Sequence, residues 1–80
     1  MKLSRELKEE NRKLRHLRFM INLTIQLLYQ KRDLTLLEGL NYINTAKGYA
    51  VSLFPGKEAT FDLIYRPRLM RVIKERGLLN

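Results

Sequence analysis

Leu7, Leu14, Ile21 and Leu28 recur every seven residues, in a stretch with no proline or glycine before Gly39. On a helix of 3.6 residues per turn, Leu3, Leu17 and Ile25 join them within about 40° of one line. The spacing predicts one long helix over residues 3–31, with a seam of the coiled-coil kind that Glu10 and Thr24 interrupt. Its densest apolar run, Leu17 to Tyr29, lies in its second half. Before Phe19 the face opposite the seam is charged (Arg5, Lys8, Glu9, Arg12, Arg15), and after it the face is apolar (Phe19, Met20, Leu23, Leu27). A helix apolar on one side needs one covering surface, and one apolar on two sides needs two. The first half of this helix is therefore expected on a surface, the second half inside a core.

Length sharpens that expectation. Residues 3–31 as a helix span roughly 43 Å, whereas a compact chain of 80 residues is only about 30 Å across. Residues 1–15 are expected to project, and their leucines to pack on a second chain. Another copy is the simplest partner, since two-fold dimers are the commonest assemblies. A core of this size is marginal alone: such a chain buries about 63% of its unfolded surface. With no cysteine, no disulfide or thiolate metal site supplements that core. Lack of cysteine fits a reducing compartment, no apolar run reaches the ~20 residues of a membrane span, and the opening residues do not read as a secretory signal. The expected location is cytoplasmic.

The second element begins at Thr35. Thr35 and Glu38 have capping-box spacing, with Leu34 placed as the hydrophobic staple. A helix over residues 36–54 follows, with Leu36, Leu40, Ile43, Ala46, Ala50 and Leu53 as its apolar stripe. The short connection makes it an antiparallel neighbour of the first. Gly48, between Ala46 and Ala50, marks either close approach of another backbone or a weak point. Phe54-Pro55-Gly56-Lys57 is a turn. Residues 57–65 fit helix or strand; helix is preferred because a lone strand has nothing to pair with. Pro67 places a boundary at Arg66 and opens a last helix over 67–76, whose apolar face is Leu69, Met70, Val72 and Ile73 and whose C-cap is Gly77. The fold class is all-α: a long helical hairpin (3–31 and 36–54), then two short helices (57–65 and 67–76), in a single dimeric domain.

No residue set supports catalysis. The one histidine, His16, sits on a basic face, and Asp33, Glu38 and Asp62 lie on separate segments, so neither a nucleophile with its base nor paired carboxylates is present. Pro55-Gly56-Lys57 lacks the other positions of a phosphate-binding loop. No cofactor, metal or small-molecule substrate is implied. The net charge of +8 is uneven: residues 1–32 carry +6, residues 33–56 carry −1 and residues 57–80 carry +3. Arg12, Lys13, Arg15 and Arg18 crowd the first helix, and Arg66, Arg68, Arg71 and Lys74 the last. Such clusters are the electrostatic footprint of phosphate binding, but no sequence-reading motif accompanies them. The leading expectation is a non-catalytic interaction and oligomerisation module using Leu3, Leu7, Leu14 and Leu17 against a homodimer copy or a partner helix. Nucleic-acid binding through the basic faces is the alternative, and attachment to an anionic membrane surface is the weakest reading.

Overall fold

The computed structural model describes residues 2–79, with side chains from Ser4 to Leu79. Three helices order the chain: α1 (Lys2–Gln30), α2 (Leu36–Leu53) and α3 (Glu58–Glu75). No strand occurs among the described residues. The all-helical class agrees with the sequence, but the number of helices does not. Residues 57–65 and 67–76 were expected as two helices and form one, α3, with Pro67 inside it.

The reason lies in where Pro67 points. Its ring crowds, and its missing N–H leaves free, the carbonyl of Leu63 four residues back. Pro67 is exposed and Leu63 is 78% exposed, so water can satisfy that carbonyl. On the opposite side of α3, Phe61, Leu69, Val72 and Ile73 are buried on both sides of the proline. Apolar burial spanning the break outweighs a local preference that costs about 3 kcal/mol in a helix interior.

The connections follow their side chains. Thr35 Oγ1 accepts the Glu38 N–H at 3.1 Å, and Glu38 Oε1 accepts the Thr35 N–H at 3.1 Å, which completes the capping box. Leu34, the expected staple, is buried. Lys57 N–H donates to the Phe54 carbonyl at 3.2 Å around a Gly56 with φ 83°. Proline followed by a positive-φ residue defines a type II turn, and only glycine fits the second place without strain. After α3, Gly77 takes φ 73° and Leu78 N–H reaches back to the Ile73 carbonyl at 3.1 Å, a Schellman closure.

One core joins all three helices: Leu17, Ile21 and Leu28 from α1, Leu34 from the connection, Ile43, Ala46 and Ala50 from α2, and Phe61, Leu69, Val72 and Ile73 from α3. Thr24 is buried among them, and its hydroxyl donates to the Met20 carbonyl at 2.8 Å. A polar atom one turn from its own acceptor can enter a core without an orphaned donor. Of the two readings of Gly48, close approach is not met there and occurs at Gly39 instead. A Cβ on Gly39 would lie 2.3 Å from Ile73 Cδ1, whereas Gly48 has open space around it. Gly39 thus lets α3 press against the first turns of α2, and the buried stripe of α2 runs Gly39, Ile43, Ala46, Ala50.

The second apolar face of α1 was expected in the core and is not there. Phe19 is 61% exposed, Leu23 and Leu27 are exposed as well, and only Met20 of this face is half-buried. These residues stand roughly 130° round the helix from the Leu17–Leu28 stripe. The two neighbouring helices both pack towards that one stripe, so neither covers the other face.

The molecule measures 52 × 22 × 16 Å, and α1 sets the long dimension. From Ser4 to His16 every residue is exposed except half-buried Lys13, and burial on α1 begins at Leu17.

Candidate interaction surface

The leading end of α1 carries two exposed leucines: Leu7 is 56% exposed, and Leu14, 37% exposed, stands where the rest of the molecule begins to cover the stripe. Leu17 was grouped with them as a partner contact and is instead in the core, 5% exposed. It is the first residue on the stripe that α2 and α3 can reach. The side chain of Leu3 lies outside the described residues. Among the described residues, the stripe available to a partner is Leu7 and Leu14.

Beneath Leu14 the stripe opens into an apolar cleft of about 250 Å³. Leu14 and Leu17 of α1 form one wall, Ala50 of α2 with Phe54 just after it a second, and Phe61 and Ile64 of α3 a third. The cleft lies where α2 has ended in the Pro55-Gly56 turn while α1 runs on past it. Lys13 Nζ lies 6.0 Å from the centre of the Phe54 ring, within cation–π range, and stands over one side of this opening.

All three acids of α1 (Glu6, Glu9, Glu10) lie in its first third, interleaved with Lys2, Arg5 and Lys8, and Arg12, Lys13, Arg15 and Arg18 follow without an acid among them. The exposed area adds a second fact. A compact protein of 9.6 kDa is expected to expose about 5,100 Å², and this chain exposes 6146 Å². The excess of about 1,000 Å² is comparable to the roughly 800 Å² that each partner buries in an ordinary stable complex.

No family model, curated protein or solved structure matches the chain.

The basic residues divide into engaged and free. Arg66 Nε donates to Asp62 Oδ1 at 3.0 Å, and Lys47 reaches the other oxygen of Asp62 at 2.9 Å. Those two cations, Lys47 first, hold the Asp62 carboxyl below its usual range. Arg76, on the basic last turn of the chain, donates to the Leu28 carbonyl at 2.6 Å and to the Arg32 carbonyl at 3.1 Å. It satisfies a carbonyl that the end of α1 would otherwise leave open, a role the sequence did not disclose. Arg18 and Arg68, from α1 and α3, line one cleft of about 360 Å³ together with Asn22 and Tyr65. Among the described ion pairs neither arginine meets a carboxylate. Arg12, Arg15, Arg71 and Lys74 are exposed.

Other polar contacts tie the helices together. Lys31 donates to Glu38, an ion pair that, with the Thr35 bonds behind it, lowers the Glu38 carboxyl and raises the Lys31 ammonium. The Tyr29 hydroxyl donates to Glu75 at 2.5 Å, and the carboxylate pushes the phenol up. His16 meets Tyr49 edge to face with ring centres 5.2 Å apart, its Nε2 2.8 Å from the tyrosine hydroxyl. His16, expected and found on the exposed surface, thus has a tyrosine hydroxyl beside it, and none of the ion pairs among the described residues involves it. No helix of the described residues is long and apolar enough to cross a membrane.

Proposed function

We propose that the chain is a non-catalytic interaction module that associates through the leading end of α1. In this reading α1 and α2 form a helical hairpin, α3 covers one side of it, and the helix end beyond the hairpin is the working surface. The observation that carries the reading is Leu7, more than half exposed on a stripe that leads straight into an apolar cleft. Fully burying a leucine side chain is worth about 1.5–3 kcal/mol, and the described residues leave more than half of Leu7 uncovered. The cysteine-free composition and the lack of a spanning helix are compatible with a cytoplasmic setting. Sedimentation equilibrium of the full chain at tens of micromolar tests the proposal. A dimer that Leu7→Asp converts to a monomer supports it; a monomeric wild type overturns it for self-association.

A second reading, nucleic-acid binding, is favoured by Arg18 and Arg68 converging on one cleft. Two guanidiniums with no carboxylate beside them match a phosphate in charge and geometry. The expected result is a complex with single- or double-stranded nucleic acid that weakens steeply with salt. Arg18→Gln with Arg68→Gln should weaken it further, read by gel shift at two salt concentrations. Absence of a shift at low salt removes this reading.

A further inference from the structure

Resting on the nucleic-acid reading above, we infer that the ligand is a single strand lying in the groove between α1 and α3, its phosphates on Arg18, Arg68 and Arg71 and a base or sugar in the cleft among them. α3 runs beside α1 in the same direction. Leu14 and Leu17 share one cleft with Phe61 and Ile64, Arg18 and Asn22 share the next with Ile64 and Arg68, and Tyr29 bonds to Glu75. Asn22 and Arg68 each lie seven residues before the Tyr29–Glu75 contact, so they stand roughly level across the groove. Arg18 is one turn before Asn22. Arg71 is one turn after Arg68 on the same side of α3, near enough to Tyr29 for its charge to act on the phenol. Three guanidiniums from two helices thus follow one another over about 10 Å.

The acids of the two helices leave these arginines unopposed. α1 has no acid after Glu10. On α3, Asp62 is held by Lys47 and Arg66, Glu75 is bonded by Tyr29, and Glu58 begins the helix ten residues before Arg68. A cleft lined by one sign of charge draws in the opposite sign.

The shape of the site selects the kind of polyanion. The cleft of about 360 Å³ between Arg18 and Arg68 is lined by Ile21, Ile64 and Tyr65 as well as Asn22. A duplex is a stiff rod with its bases stacked inside, and bending it is costly; its phosphates meet the arginines without filling the apolar part of the cleft. A single strand can turn an unstacked base or sugar onto Ile64 and Tyr65 while its phosphates meet the guanidiniums. That pairing of a basic groove with an aromatic side chain is how unpaired strands are held. A lipid surface suits the site less well. Phe19 and Leu23, the exposed side chains of α1 fit to enter a bilayer, stand about 100–140° round the helix from Arg18.

The test is fluorescence anisotropy of the full chain with a labelled oligothymidylate of about twelve nucleotides, beside a duplex of the same length. The strand should bind with a dissociation constant of about 1–100 µM at physiological salt, and the duplex roughly tenfold more weakly. The logarithm of affinity should fall against that of salt with a slope of about −2, three phosphates contributing about −0.7 each. Arg18→Gln, Arg68→Gln and Arg71→Gln together should weaken the strand complex on the order of a hundredfold at about 0.1 M salt. Arg5→Gln, Arg12→Gln and Lys74→Gln remove the same charge away from the groove and should weaken it by about threefold or less. All six residues are exposed, so both triple variants should keep the fold by circular dichroism. Equal losses from the two triples, or a duplex bound as tightly as the strand, overturn this inference and leave nucleic-acid binding standing. Absence of binding to strand and duplex at low salt overturns both, as does binding to vesicles of phosphatidylserine and phosphatidylcholine in place of either nucleic acid.

Discussion

The two halves of α1 share one helix and one leucine spacing, yet they meet opposite fates. From Leu17 onward, the stripe is closed off by Ile43, Ala46 and Ala50 on one side and by Phe61, Leu69 and Ile73 on the other. From Ser4 to His16 the same stripe faces water. Periodicity says which side of a helix will be covered; only the reach of the neighbours says how far along it the cover extends. Here α2 is eleven residues shorter than α1, and the uncovered length follows directly.

The sharpest way to break this contrast is to cut the same side chain at both ends. Leu28→Ala, at a site with no exposure, should cost about 2–5 kcal/mol of unfolding free energy. Leu7→Ala should leave the unfolding of dilute monomer within about 0.5 kcal/mol of wild type. Urea denaturation at sub-micromolar concentration measures both. Equal losses would mean that the leading end is covered by its own chain.

A middle-sized effect separates the two glycines of α2. Gly39→Ala drives a methyl into Ile73 and should destabilise by about 1–3 kcal/mol through overpacking. Gly48→Ala meets open space and should stabilise by about 0.5–1 kcal/mol through helix propensity alone. The opposite signs, read from thermal melts, would confirm that tight packing is confined to the end where α2 begins.

The smallest effect is the response to acid. Glu38 and Asp62 both titrate below their unfolded values. Their contribution is therefore complete above the unfolded carboxylate range, near about pH 4, and disappears as pH falls through the lower folded values. Melting temperature should fall between about pH 5 and pH 3, and Glu38→Gln should flatten part of that fall. Both pairs are half-open to solvent, so the change should be small.

Much of this was readable in the residues. The bounds of α1 and α2, the Thr35–Glu38 box, the Pro55-Gly56 turn and the Gly77 closure are local, and each announces itself by residue type and spacing. What was missed depends on distant chain. Pro67 reads as a boundary until one knows that its side of α3 faces water. Ala46, Gly48 and Ala50 suggest a close crossing, but which glycine a neighbour touches depends on Ile73, more than thirty residues away. Phe19, Leu23 and Leu27 look like core because composition carries no count of how many helices are at hand to cover them. Of the surface, Leu7 and Leu14 were visible and the cleft was not. Its walls come from three helices, and the one local hint was the aromatic Phe54 standing just before the turn.

Arg76 has a consequence for how the chain is made. Its guanidinium caps the carbonyl end of α1 from a position 48 residues later, so that cap is missing until those residues have been made. At about 5–20 residues per second of synthesis, the apolar sides of a nascent α1 wait roughly 2–10 s for their cover.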